Sequence, residues 1–568
     1  MSSSVPSGNP RGAPGARARL VVVGAVVATL AGCVAIPTSG PVTQGDGVVR
    51  EQEGVVVLAE GPQADADPAE IVEGFLLAGD AEVTGDFDVT RQFLAADERS
   101  EWDPGAGTVV ARATRVEQTG DAQVTVSLDV AAKVDADGRY VEAPADARET
   151  LRFELVQDAR GDWRIAHAPD GIVVNVRRFE QQFRSTTLYF LTPDEKMLVP
   201  EVRWFRNKSA PTAVVRALLA GPSPWLRDAV TTAVPAGTEL KPEAVTVEQG
   251  VAELALEPAQ AVLAADRGLL LAQVAASLRP LGITTVHVLA GAGGALLEGE
   301  PAELATPDAG ALEFLVDGQT FTVVDGAPVV LDGVRPVVGA SPQAPARAGN
   351  GAVRVALADP TTLVTVPVGS SDQVTLLTGA GMVAPSVDRH GWVWTARAST
   401  PGTLDAVRAD GTLVEVGAEW LSGRTVGAVR VSRDATRVAI VSDGPDGTTL
   451  DVAGVVRDDD GVPVGLGAAV RAGAALTPTG SVVWVDDVTL GVLSDEDAGS
   501  TPYLVPVTGR STPLPAVADA VALAADRGER TLYVVTGDGD LLRHQGGTWV
   551  AVPDVTGVLD VTGAAFPG

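Results

Sequence analysis

From about residue 310 onward one short pattern returns at a near-constant step. Ser386-Val387-Asp388 precedes RHGWVWTA, and Ser432-Arg433-Asp434 precedes ATRVAIVSD. Thr477-Pro478-Thr479 precedes GSVVWVDD, and Ala524-Ala525-Asp526 precedes RGERTLYVV. The third residues, 388, 434, 479 and 526, lie 46, 45 and 47 apart, and a fainter Ser341-Pro342 ends 46 before Asp388. The intervening sequence has Gly-rich turns and short Val-rich runs but no helical period. Several strands per unit at such a step is the signature of propeller blades, in which each unit buries its faces on its neighbours. Five anchors give five blades, and six if the segment around Phe314–Val324 supplies another. The closing GAAFPG is placed to return as a strand that completes the ring. A pair of β-sandwiches is the alternative architecture.

The other end of the chain constrains location. Arg11, Arg17 and Arg19 precede an apolar or small run, Leu20–Ala31. Twelve residues of helix rise only about 18 Å, against a hydrocarbon core of roughly 30 Å, so the run reads as an export signal rather than a span. Cys33, the only cysteine of the 568 residues, follows at once. Leu30-Ala31-Gly32-Cys33 resembles a bacterial lipobox. The resemblance implies cleavage between Gly32 and Cys33, a diacylglyceryl group on the Cys33 sulfur and an N-palmitoyl cysteine at the mature start. A plain secretory signal with an incidental cysteine is the alternative. A lipidated Cys33 leaves no cysteine for disulfides or a metal site. Two acyl chains anchor firmly, at about 0.8 kcal/mol per buried methylene. The expected location is the outer face of the plasma membrane, with no transmembrane helix after Cys33.

With 73 acidic against 42 basic residues, the formal charge is −31. That field repels nucleic acid and anionic lipid, so neither is an expected partner through a basic patch. Lys133, Lys196, Lys208 and Lys241 are the only lysines, and Ala, Gly, Val and Asp abound. This is the composition of a GC-rich genome, such as that of an actinobacterium.

Between the ends the chain divides into a signal peptide (1–32), a Pro/Gly/Asp-rich tether (33–66) and three domains (67–180, 186–300 and 308–568). In DPAEIVEGFLLAG, Asp67 is an N-cap, Pro68 suits the first helical position and Glu70 closes a capping box. A second short helix is expected over Thr90–Leu94. Val124, Val126, Leu128 and Val130 then alternate with polar residues, as do Leu151, Phe153 and Leu155. This is the period of strands with one wet face. Asp137-Gly138 marks a hairpin. Helices followed by an antiparallel sheet ending in GDWRI resemble the cone-shaped α+β fold of the nuclear-transport-factor-two-like superfamily. TLYFLTPDEKMLVPEVRWF reads as two strands about a Pro-Asp turn, and APTAVVRALLAGP as a helix stopped by Gly221-Pro222. A hairpin (VTVEQGVAELAL), a second helix (LLLAQVAASLRPLG) and a final strand (ITTVHVLAG) follow. This order, with ALLAGPS and VPAGT, resembles the α+β GerMN domain of spore-germination and sporulation proteins.

A lipobox, a helix-plus-sheet domain, GerMN and a C-terminal propeller, with CVAIPTSGPV at the mature start, resemble the actinobacterial LpqB lipoprotein family over nearly the whole chain. The resemblance implies a non-enzymatic accessory of the MtrAB two-component system. It would contact the extracytoplasmic part of the sensor kinase MtrB and modulate phosphorylation of MtrA, with effects on cell division and wall homeostasis. It carries over no catalytic residue, cofactor or metal, only the lipobox.

The residues themselves point the same way. His167, His287, His390 and His544 are far apart and lack metal-ligand spacing. His167 and His287 read as core or edge histidines, and His390 and His544 as solvated. No G-x-S-x-G elbow or P-loop is present. Gly291–Gly294 reads as a turn, and Asp458–Gly461, spaced only in part like a calcium loop, as a hairpin tip. Trp392, Trp394 and Trp484 read as blade core. Trp225 and Trp420 are candidates for stacking on sugars or anchoring a partner. A receptor for a wall component or small molecule, using the first domain's cone or the propeller face, is therefore the second expectation.

Overall fold

The computed structural model describes residues 59–83, 85–307, 310–496 and 499–567. The export run, the lipobox and most of the tether lie outside them. Helix α1 (Pro68–Ala81) begins where Asp67 accepts from the Glu70 N–H at 2.9 Å while Glu70 accepts from the Asp67 N–H, also at 2.9 Å. This reciprocal box satisfies donors that the first turn leaves without partners. Its buried face is Ile71, Val72 and Phe75. Phe75 meets Trp102 and Phe153 edge-on, with ring centres 5.2 and 5.9 Å apart. A 3-10 turn (Thr90–Phe93) and a short α2 (Glu98–Glu101) follow.

The sheet of this first domain contains β1 (Gly107–Gly120), β2 (Gln123–Asp135), β3 (Tyr140–Glu142), β4 (Arg148–Gln157), β5 (Trp163–His167) and β6 (Ile172–Asn175), in the order β5-β4-β2-β1-β6 with β3 on β2. The expected antiparallel sheet ending at Trp163–Ile165 needs one correction. Strand β6 extends it and runs parallel to β1, from Thr108↔Ile172 to Ala111↔Asn175. Four residues are too few to display a period, and a parallel partner is chosen by non-local packing. Helix α3 (Val176–Gln182) leads out of the domain.

In the second domain β7 (Phe183–Leu191) and β8 (Leu198–Arg206) pair antiparallel along their whole length. Helix α4 (Ala210–Ala220) has Pro211 in its first turn and stops at Gly221, whose φ of +86° favours glycine. Strands β9 (Glu239–Leu240), β10 (Thr246–Glu248) and β11 (Val251–Glu257) precede α5 (Ala259–Ala264) and α6 (Arg267–Leu278), and β12 (Thr285–Ala290) and β13 (Ala295–Leu296) follow them. The two helices form the crossover that lets β11 and β12 run parallel. Gly291–Gly294 is the turn between β12 and β13, closed by the Gly294 N–H on the Gly291 carbonyl at 2.9 Å.

The remaining strands form six four-stranded antiparallel sheets, the blades of a propeller. Blade 1 takes Glu313–Val316, Gln319–Val324 and Ala327–Val330, and its innermost strand is Val561–Ala565 from the end of the chain. Blades 2 to 6 span 343–378, 386–417, 425–472, 478–513 and 520–551. The segment around Phe314–Val324 thus supplies the sixth blade, and GAAFPG returns to close the ring.

The step between blades differs from the one expected. Asp388 and Asp434 stand in the loop after an innermost strand and accept the N–H two residues on, from His390 at 2.9 Å and Thr436 at 2.8 Å. Asp526 occupies the same loop of blade 6. Thr479 does not, because it lies near the start of the innermost strand of blade 5, Pro478–Trp484. The equivalent there is Asp486, which accepts from the Val488 N–H at 2.8 Å. In blade 2 it is Asn350, accepting from the Ala352 N–H at 2.9 Å, rather than Ser341-Pro342. The residues 350, 388, 434, 486 and 526 are 38, 46, 52 and 40 apart. Blade 4 causes the largest delay, since its two outer strands run 11 and 10 residues. An innermost strand and its neighbour share one alternating pattern, so GSVVW matched the wrong strand.

Candidate functional site

The loops that carry these Asn and Asp turns face the second domain. Asp194, in the β7–β8 turn, is gripped by both Arg389 Nη atoms, at 3.0 and 2.9 Å, while Arg389 Nε donates to the Asp434 carbonyl at 3.0 Å. Thr192 Oγ1 also donates to Asp194, at 2.6 Å. Burial works to raise the Asp194 pKa, but the hydrogen bonds from Arg389 and Thr192 outweigh it and hold the carboxyl well below its ordinary range. Buried Arg437 pairs with Asp434, donates to the Asp487 carbonyl at 2.5 Å and to Pro200 of β8 at 3.4 Å, and lies 4.9 Å from the Trp484 ring centre.

Trp225 is buried at this joint, 7% exposed, and its carbonyl accepts from the Gly454 N–H at 3.0 Å. A Cβ on Gly454 would stand 2.9 Å from that oxygen and 2.7 Å from the Ala229 Cβ. The approach therefore requires glycine. Trp420, half-buried, donates its Nε1–H to the Gly467 carbonyl at 3.0 Å. Both tryptophans put forward as sugar or partner contacts thus pack within the protein.

The first domain joins the same body. Gly138, at φ +81°, accepts from the Trp204 N–H at 2.8 Å, and a Cβ there would sit 2.8 Å from the Trp204 carbonyl. Fully buried Arg203 pairs with Glu201 at 2.8 Å and donates to the Gly221 carbonyl at 2.9 Å. The first domain also reaches the propeller. Glu142 accepts from the Ser511 N–H at 3.1 Å and from its hydroxyl at 2.8 Å. Trp204 Nε1–H of β8 meets the Thr508 carbonyl at 3.0 Å.

Where the second domain covers the propeller a cavity of about 240 Å³ remains. Met197 and Thr306 line it from one side, and Asn350, Arg389 and Arg433 from the loops of blades 2, 3 and 4. Its polar groups are donors and an amide, suited to binding. Among the described residues no group of three or more His, Cys, Asp or Glu is placed to hold a metal ion.

The histidines are separate. The His167 side chain is exposed, 3.8 Å from Glu98. His287 is half-buried on β12. His390 is half-buried too, and burial, then the charges of Arg457 and Arg389, push its pKa down to about 4. The expectation that His544 is solvated is corrected. It is 5% exposed, with its ring centre 5.1 Å from that of Trp549, because the last hairpin of blade 6 folds Trp549 across it. Trp392, Trp394 and Trp484 are buried in the blades, and Trp394 Nε1–H donates to Asp388 at 3.0 Å. Asp458 accepts from the N–H groups of Asp460 and Val462, at 3.0 and 2.9 Å, which makes Asp458–Gly461 a hairpin tip.

The Asp194–Arg389 lock makes a pH prediction. A carboxyl whose pKa is lower in the folded state contributes stability above its unfolded pKa, about 3.9. That stability is lost as pH falls below it. Asp194→Asn should therefore lower the urea midpoint at pH 7, and by less at pH 3, where the unfolded carboxyl is mostly protonated while the folded one stays ionised. An equal deficit at both pH values would contradict an ionised Asp194 in the joint.

Three family models match the chain: "Lipoprotein LpqB, N-terminal domain" over residues 61–180, "Sporulation and spore germination" over 187–293, and "Lipoprotein LpqB beta-propeller domain" over 317–559. The chain is 28% identical to Lipoprotein LpqB of Cutibacterium acnes, across 93% of this chain and 96% of that one. It is also 28% identical to Lipoprotein LpqB of Streptomyces avermitilis, across 98% and 99%. Among solved structures, TolB from Acinetobacter baumannii aligns with 46% of this chain and 67% of its own, at 12% identity and a TM-score of 0.35. The lipobox residues Leu30, Ala31 and Gly32, and Cys33, lie outside the described residues. Among those residues no helix is long and apolar enough to cross a membrane.

Proposed function

The chain belongs to the LpqB lipoprotein family, and from that premise we propose that it is a lipid-anchored, non-enzymatic accessory of the MtrAB two-component system on the outer face of the plasma membrane. In this reading Cys33 carries the anchor. The folded body contacts the extracytoplasmic part of the sensor kinase MtrB and raises phosphorylation of MtrA, on which division and wall homeostasis depend. The observation that supports it best is the joint. The Asp194–Arg389 pair and close backbone contacts at Gly138 and Gly454 weld three domains into one body. Such a body offers a fixed, extended surface to a partner. Anchoring both proteins in one membrane raises their effective concentration, so that a modest contact suffices.

The test compares phosphorylated MtrA in wild-type cells, in a deletion strain and in a strain making a form without residues 1–33. The deletion strain should show less, and the unanchored form should restore it poorly at equal abundance. Equal levels in deletion and wild type would reject the accessory role. Full rescue by the unanchored form would reject the need for the anchor. A second reading, a receptor for a small molecule or wall component, is favoured by the cavity between the second domain and the propeller.

A further inference from the structure

Helix α1 of the first domain buries Ile71, Val72 and Phe75, but its outer face, Glu73, Leu76, Leu77 and Asp80, is only half polar. Leu77 is 70% exposed. That face borders a groove of about 340 Å³, within the range of binding sites, which Thr114 and Val116 of β1 and Val173 and Asn175 of β6 also line. Leu76, Val116 and Val173 pack on the domain core, so the apolar floor of the groove is continuous with it.

The groove runs beside an open strand edge. Strand β1 pairs with β2 along its whole length, but with β6 only over Thr108–Ala111. Among the described residues no strand pairs with Arg112–Gly120 on the side away from β2. Thr114 and Val116 therefore line the groove from the free stretch. Such an edge presents backbone N–H and C=O groups to an added strand. Strand β6 ends at Asn175, where the chain turns into α3, and leaves its line along β1 unfilled.

Charge selects what fits there. Residues 59–106 carry 13 acidic and two basic side chains. Two of the acids, Glu73 and Asp80, flank Leu76 and Leu77 on α1 and line the groove. Asp80 accepts from Asn175 Nδ2 at 2.9 Å and pairs with Arg178 at 3.5 Å. The Glu73 carboxylate has no partner among the described residues.

We propose that this groove takes an extended segment of another protein, added as a strand along the open edge of β1. An apolar side chain of that segment enters beside Leu77 and Val116. A lysine or arginine two residues along, on the same face of the strand, meets Glu73. The inference concerns a surface of the first domain and holds whether or not the partner is the kinase.

Fluorescence anisotropy on the purified full-length protein in a non-ionic detergent tests it with labelled synthetic peptides. The probe is Thr-Leu-Thr-Lys-Thr-Leu-Thr, long enough to cover Thr114–Gly120. Its isomer Thr-Leu-Lys-Thr-Leu-Thr-Thr puts the lysine and one leucine on the opposite face, and a glutamate in place of the lysine reverses the charge. One saturable site is expected for the probe, with both controls at least about tenfold weaker. Methylating the backbone nitrogens of one edge of the probe should abolish binding, and methylating those of the other edge should leave it. Leu77→Ser should weaken binding about tenfold and Glu73→Lys about threefold, with unchanged melting curves, since both side chains are exposed. Absence of saturable binding up to about 5 mM would overturn the proposal. So would equal binding of the isomer, or unchanged binding in Leu77→Ser and Glu73→Lys. Equal effects of methylating either edge would overturn the strand addition. Self-association of the protein that the probe disrupts would give the edge to a second copy of this chain and overturn the assignment to another protein.

Discussion

Removal of residues 561–568 from the full chain is expected to lower its melting temperature by well over about 10 °C. Eight surface residues of a 568-residue chain would not do this. These eight include the innermost strand of blade 1, paired from Glu313↔Ala565 to Val316↔Val561. Without it Phe314 and Leu315, each 0% exposed, lose cover on one edge, and Val561, 3% exposed, is lost outright. Full burial of such side chains is worth about 1.5–3 kcal/mol each, and each ladder hydrogen bond about 1 kcal/mol. The sum passes about 5 kcal/mol, comparable to the whole net stability of an ordinary domain. Links to the neighbouring blade go too, such as Thr562 Oγ1 on the Pro342 carbonyl at 2.8 Å and the bridge of Pro567 to Arg347. The opened edge would also expose unpaired backbone groups to other chains, so aggregation on heating is expected. Circular dichroism melts of the two proteins measure the effect, and superimposable curves would show that the ring does not depend on this strand.

Cys33→Ala should abolish both lipidation and processing. The lipobox resemblance implies that the diacylglyceryl thioether on Cys33 marks the chain for signal cleavage. Alanine has no sulfur to carry the mark, so residues 1–32 should remain attached. The retained run Leu20–Ala31 is a poor substitute anchor, since its roughly 18 Å of helix falls short of the hydrocarbon core. Metabolic labelling with a radioactive fatty acid, followed by intact-mass measurement, checks both parts. Label at the wild-type level in Cys33→Ala would overturn the assignment of the anchor.

Much of the chain was legible because its signals are local. The capping box at Asp67 and Glu70 needs only four consecutive residues, and it stands in the structure as read. The helix stop at Gly221 and the alternation along β2 are of the same kind. So was the class of the C-terminal half, because many short strands between glycines leave few ways to bury them. Blade register was not legible. The same alternating apolar run fits an innermost strand or its neighbour, and only pairing partners tell GSVVW apart from GWVW.

What the sequence determined by itself was therefore the local elements, such as the capped helix at Asp67 and the alternating strands of the first sheet, and the class of the C-terminal half. Only the tertiary structure decided what distant segments do together. It chose Glu313–Val316, some 250 positions earlier in the sequence, as the strand on which the expected closing strand Val561–Ala565 pairs. It buried Trp225 against Gly454, and His544 under Trp549. It also laid Leu77 of α1 beside Thr114 and Val116 on the open edge of β1. The physical reason is common to all of these. Capping and alternation are fixed by residues within a few positions of one another. The cover over a tryptophan, or the groove between a helix and a strand edge, depends on which surfaces meet when the chain folds.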